Sequence, residues 1–175
     1  SSDLTNLSYG LLGIFIILPH PLQNSGFVYD RLVNVMGLCS LGGTTVWLLA
    51  VWRQIADRIP VHYDFRGHVD RMASKGSLWV LMAVGWVMFL ALSVVEHFPQ
   101  IWNTGVQVTP KNQERVYRTL KNMLGTLKLI IAVLFSYLVF QSAFGGNLPP
   151  QFLPLFLLVT LGSLAFFLVR LIRLK

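Results

Sequence analysis

Apolar residues run along this chain in long blocks parted by short polar stretches. The main blocks cover about 33–52, 78–95, 123–144 and 152–169. Each is long enough, as a helix, to cross a hydrocarbon core of about 30 Å. A shorter block at 7–18 reaches only about 18 Å and reads as an interfacial or re-entrant helix, with a tilted fifth span as the alternative. It has neither a basic leading stretch nor a small-residue cleavage site, so a removable signal peptide is not expected. Gly145-Gly-Asn-Leu-Pro-Pro150 is turn chemistry, which makes the last two spans an antiparallel pair. Gly37, Gly42 and Gly43 in the first span predict close approach of a neighbouring helix.

The polar stretches differ in pattern. Within the loop 53–77, Val61 to Asp70 alternates strictly: His62, Asp64, Arg66, His68 and Asp70 share one parity, and Val61, Tyr63, Phe65 and Val69 the other. Period two predicts an extended segment within 59–71, apolar side down on the bundle and polar side up, with a turn or bulge at Gly67. The stretch 110–122 has helical spacing instead, with Thr109 as cap and Pro110 at the first helical position. Val116, Leu120, Met123, Leu124 and Leu127 share one side, and Arg115, Arg118 and Lys121 lie elsewhere. Such a basic amphipathic helix suits an anionic leaflet or a docking partner, the alternative being a solvated extension of the span that follows. Lys128 is expected to snorkel from the span that follows, and Gly125 to offer a bend.

Composition sharpens this picture. Of 175 residues 54% are apolar and only 12% charged, about half the charge of an ordinary soluble domain. Mean hydropathy is +0.62. A soluble enzyme and a disordered chain are both excluded. The net charge of +7 is assigned to residues flanking spans, which sets nucleic acid aside as a partner. The single Cys39 allows no internal disulfide. The fold class is therefore an all-α, polytopic transmembrane bundle forming one membrane domain over 1–175, with the bilayer as its first partner. Arg31, Lys111, Arg115, Arg118, Lys121, Lys128, Arg170, Arg173 and Lys175 fall on one side of four spans, and Arg53, Arg58, Arg66, Arg71 and Lys75 on the other. The basic excess predicts a multi-pass cell-membrane protein with the loop 53–77 extracytoplasmic and the loop 98–122 and C-terminus cytoplasmic.

Candidate chemistry gathers in the loop. His62, Asp64, His68 and Asp70 are residue types that suit a divalent cation, yet their spacing matches no recognised metal signature. The bland alternative is a set of surface ion pairs from Asp64 and Asp70 to Arg66, Arg71 and Lys75. No other cofactor is predicted. Glu96-His97 falls at the end of its apolar run before Pro99, where an interfacial role is expected rather than a proton relay. No nucleophile elbow, zinc-protease helix, phosphate loop or dinucleotide fingerprint occurs.

Pro60-x-His62-x-Asp64-x-x-Gly67-x-x-Asp70, then Ser74-Lys75 and a span, resembles the signature of a bacterial membrane family of unknown function. That family includes the Sdp-type immunity proteins, which protect a cell from its own membrane-active toxin. The resemblance continues through Asn103-Thr-Gly105, Thr109-Pro-x-Asn112, Tyr117 and Met123-Leu-x-x-Leu-Lys128. It implies the topology of a multi-span bundle. The first functional reading is a non-enzymatic protein of immunity or sensor type that recognises a membrane-active or extracellular ligand through the loop 59–75, with a peptide toxin or signalling partner and a second copy of the chain as candidate partners. Pro60, His62, Asp64, Gly67, Asp70, Lys75 and Asn103 are the implied motif residues. Two other readings stay open: a small transporter or channel-like subunit, and a membrane enzyme with a metal or acid/base site at His62, Asp64 and Asp70.

Overall fold

The computed structural model describes residues 27–174; the block at 7–18 lies outside them. The order is α1 (Phe27–Val51), β1 (Arg58–Tyr63), β2 (Val69–Ser74), α2 (Ser77–Glu96), a 3-10 turn (Pro99–Ile101), α3 (Gln113–Phe144) and α4 (Phe152–Ile172). All four α-helices are long and apolar enough to cross a membrane. Their outer walls are apolar too: Val46, Leu49, Val80, Val87, Leu158 and Leu161 are exposed. In water such a surface would be an interaction patch of unusual extent; facing lipid it needs no partner.

Helix α3 is the central element, packed between α1 and α2, with α4 leaning on it. Leu41 and Leu48 of α1, Leu78, Met82 and Phe89 of α2, and Ala132 and Val139 of α3 form one core with Ile55 and Ile59. Gly85 carries the close approach of α2 to α3, since a Cβ there would sit 2.8 Å from that of Phe135. Gly37 does the same for α1, against the ring of Phe89. Gly42 and Gly43 face open space, so only one of the three glycines predicted for packing performs it.

Three further expectations are corrected. The fold is mostly helical rather than all-α, because the alternating segment pairs with a partner strand as an antiparallel hairpin. Residues 113–122 of the amphipathic stretch and the span 123–144 are a single 32-residue helix, Gln113–Phe144, that runs through Gly125. Its cap position is Asn112 rather than Thr109, whose carbonyl accepts from the Asn112 and Gln113 N–H groups in the turn before the helix.

The hairpin stands over one end of the bundle. Gly145 closes α3 in the left-handed conformation at φ +75°, and the turn that follows meets the hairpin tip. The Leu148 N–H donates to the Gly67 carbonyl at 2.8 Å and the Val69 N–H to Asn147 Oδ1 at 2.9 Å. The opposite end holds Glu96, the loop 98–112 and the start of α3. There Leu171 of α4 packs on Val116 and Leu120.

Candidate functional site: the hairpin and its groove

The two strands pair from Arg58↔Ser74 to Tyr63↔Val69, with register shifts either side of His62. Pro60 lies opposite Met72 and has no N–H to give the ladder, the position at which strands tolerate irregularity. The irregularity re-aims the side chains. Ile59 and Pro60 are both buried, and Val61 packs on the core, while His62 turns to solvent.

His62 Nδ1 meets Asp70 Oδ1 across the strands at 2.7 Å, both side chains about half exposed. Asp64 does something else. Its Oδ1 accepts from the backbone N–H groups of Arg66 and His68, each at 2.8 Å, and its Oδ2 lies 3.4 Å from His68 Nδ1. The bond from the His68 N–H is the leading reason the Asp64 carboxyl sits below the usual carboxylate range. Asp64 is thus the internal brace of the turn. Gly67 supplies its left-handed step at φ +86°, and a Cβ there would lie 2.5 Å from the Leu148 carbonyl oxygen.

The remaining motif residues separate. Lys75 pairs with Asp57 at 3.0 Å, donates to the Ile55 carbonyl at 3.4 Å and lies over the Trp52 ring. It meets neither Asp64 nor Asp70, so the surface pairs expected for those aspartates run to histidines instead. Asn103 is at the other end of the bundle, where its Oδ1 accepts from the Gly105 N–H. The four-residue cation alternative is not assembled either. His62–Asp70 and Asp64–His68 are two distinct pairs, and no three His, Cys, Asp or Glu among the described residues converge as a ligand set. The turn is the reason: it points the Asp64 carboxylate inward at backbone N–H groups while Asp70 stays on the strand face.

Beneath the polar edge lies a groove of about 290 Å³, walled by Val61–Phe65 and Gly67 on one side and Leu148–Pro150, Phe152 and Leu153 on the other. Tyr63 reaches down to Ser142 Oγ at 3.5 Å, and burial raises its phenol above the ordinary value. Phe65 was expected face-down with Tyr63, but it is 74% exposed, because the strand ends at Tyr63 and alternation ends with it. The result is an apolar trough with an unpacked phenylalanine at its lip and a His–Asp pair on its rim. Among the described residues, no Ser, Thr, Cys or Lys lines it.

A second polar site escaped the sequence reading. Lys128, expected to snorkel, is completely buried. Its Nζ donates to Glu96 Oε2 at 2.5 Å, Asn34 Oδ1 at 2.7 Å and Ser93 Oγ at 3.3 Å. Glu96, expected at the interface, is 8% exposed in this pair. One ammonium therefore joins α1, α2 and α3. Two turns towards the helix start, Lys121 pairs with Asp30 of α1 at 2.5 Å. The available signal was a lone lysine inside an apolar run, which in lipid demands a partner.

Residues 40–85 match a domain of unknown function, DUF1648. The matched stretch is about a quarter of the chain. It comprises the hairpin-side half of α1, the whole hairpin and the first half of α2. No curated protein and no solved structure matches. The similarity is thus to a domain of unknown function, in a chain with four helices able to span a membrane.

Proposed function

We propose that this is a cell-membrane recognition protein of the immunity or sensor type, binding the apolar segment of a membrane-active peptide in the hairpin groove. In this reading the hairpin faces the extracytoplasmic side. The groove carries the proposal: an apolar trough at the bundle's end, with exposed Phe65 at its lip and the His62–Asp70 pair on its rim. An apolar cleft with few polar groups at its edge is the usual form of a binding site. Residues 53–77 hold five basic against three acidic side chains, which favours a neutral or acidic peptide over a cationic one. The resemblance of the loop to that of immunity proteins supports the same class.

The test is tolerance of a host cell expressing the protein to a synthetic neutral amphipathic peptide that permeabilises membranes. Wild type raises tolerance, whereas Phe65→Ser and His62→Ala abolish the gain without lowering the melting temperature in detergent. Equal tolerance with and without the protein overturns the reading. A transporter remains the second reading, favoured by the Lys128–Glu96 pair within the apolar helices. Proton flux into liposomes that disappears in Glu96→Gln would place the function there.

A further inference from the structure

At the end of the bundle opposite the hairpin, a cavity of about 760 Å³ opens between the loop 103–109, the start of α3 and Leu174 beyond α4. It is built, not incidental. Asn112 is buried; its Oδ1 accepts from the Thr109 N–H at 2.7 Å, and its Nδ2 donates to the Gln107 and Leu174 carbonyls at 3.0 and 2.9 Å. One amide thereby holds the loop, the helix start and the end of the described chain in one wall.

The charges around it are one-sided. Lys111 and Arg115 line the cavity, and among the described residues no acidic one does. The neighbouring cations of α3 are neutralised: Arg118 pairs with Glu114 and Lys121 with Asp30. Lys111 and Arg115 have no side-chain partner among the described residues. Because the Asn112 amide is spent on the loop, no side chain caps the first turn of α3, and its N–H end adds positive potential. The cavity lies beside the end of the apolar run of α4: Leu171, one residue past Arg170, packs on Val116, and Leu174 lines the cavity itself.

We propose that this cavity binds a phosphate-bearing anion, and that its source is the headgroup of an anionic phospholipid in the adjoining leaflet. Two unpartnered cations and a helix N-terminus beside the end of an apolar helix are the chemistry such a phosphate requires. Basic pockets beside spans hold lipid headgroups through the same combination.

The test uses the full chain, delipidated in neutral detergent, with three probes: phosphatidylglycerol, phosphatidylcholine and inorganic phosphate. Retention of each lipid is read by native mass spectrometry. Phosphatidylglycerol is expected to be retained over phosphatidylcholine. The double variant Lys111→Gln/Arg115→Gln is expected to bind it about 30-fold more weakly, the loss for two cations near an anionic surface. Arg71→Gln on the hairpin serves as control and leaves retention unchanged. Should the double variant unfold, Lys111→Gln and Arg115→Gln alone each still lower retention. Inorganic phosphate that displaces the lipid and is retained by itself moves the source from lipid to soluble phosphate, and so overturns the headgroup assignment. Equal retention of the two lipids, or retention indifferent to Lys111 and Arg115, overturns the site.

Discussion

Asp64 and His62 are two residues apart and do opposite work. The Asp64 carboxylate is spent on the Arg66 and His68 N–H groups inside the turn, whereas His62 holds only Asp70 at the exposed rim. Asp64→Ala is therefore expected to lower the melting temperature, and His62→Ala to leave it almost unchanged, since an exposed pair contributes about 0–1 kcal/mol. The sign of the pH effect follows from the same bonds. A carboxyl held below its unfolded value adds stability above that value and loses it as pH falls through the folded one. Wild type should lose melting temperature below about pH 4, in the range where carboxylates titrate, and Asp64→Asn should lose less. Thermal unfolding between pH 7 and 3 checks it; parallel curves would mean that the brace carries no charge-dependent stability. Gly67→Ala should cost more than 1 kcal/mol, about 1 for the left-handed φ and more for the meeting with the Leu148 carbonyl.

Among the described elements, α3 decides the architecture because it packs against α1, α2, α4 and β1. Its polar anchor, Lys128, replaces the hydration of one ammonium with three side chains from two helices. Removing one member of such a pair strands the other charge. Lys128→Met should thus destabilise by about 3 kcal/mol or more, while Lys128→Met with Glu96→Leu regains most of it. Denaturant titration of the singles and the double in detergent measures the coupling. Additive losses would show that the two groups do not support each other. The α2–α3 seam is tight enough for Gly85→Ala to cost about 1–3 kcal/mol by overpacking against Phe135.

At the scale of the whole molecule, the hairpin and the 98–112 loop occupy opposite ends. That arrangement makes orientation testable. With exposed Cys39 replaced by alanine, single cysteines at Arg66 and Gln113 should react differently with an impermeant maleimide on intact cells. Labelling at 66 and not at 113 is expected from the basic excess at the Glu96 end. The reverse pattern would put the hairpin in the cytoplasm and end the peptide-recognition reading. Burial of Lys128 inside the bundle takes one charge from that excess but leaves its direction intact.

What the linear chain determined is local. Long apolar runs become helices because lipid offers no partner for backbone N–H and C=O groups, so each segment must satisfy its own. The runs 33–52, 78–95, 123–144 and 152–169 each fall within one of the four helices able to span, give or take a residue, although α1 starts earlier at Phe27 and α3 at Gln113. Strict alternation likewise marked the extended segment, and Gly67 its turn. What depended on tertiary structure is every contact between distant segments. Lys128 meets Glu96 across 32 residues and Asn34 across 94. Leu148 supplies the wall of a groove whose other wall begins at Val61, and Asn112 reaches Leu174 across 62. Alternation also failed at the register shifts around His62, where the pleat no longer sorts residues by parity. A charge can be placed in an apolar run by reading the chain, but its partner is chosen by how the helices pack, and that choice turned a predicted snorkelling lysine into the centre of the bundle.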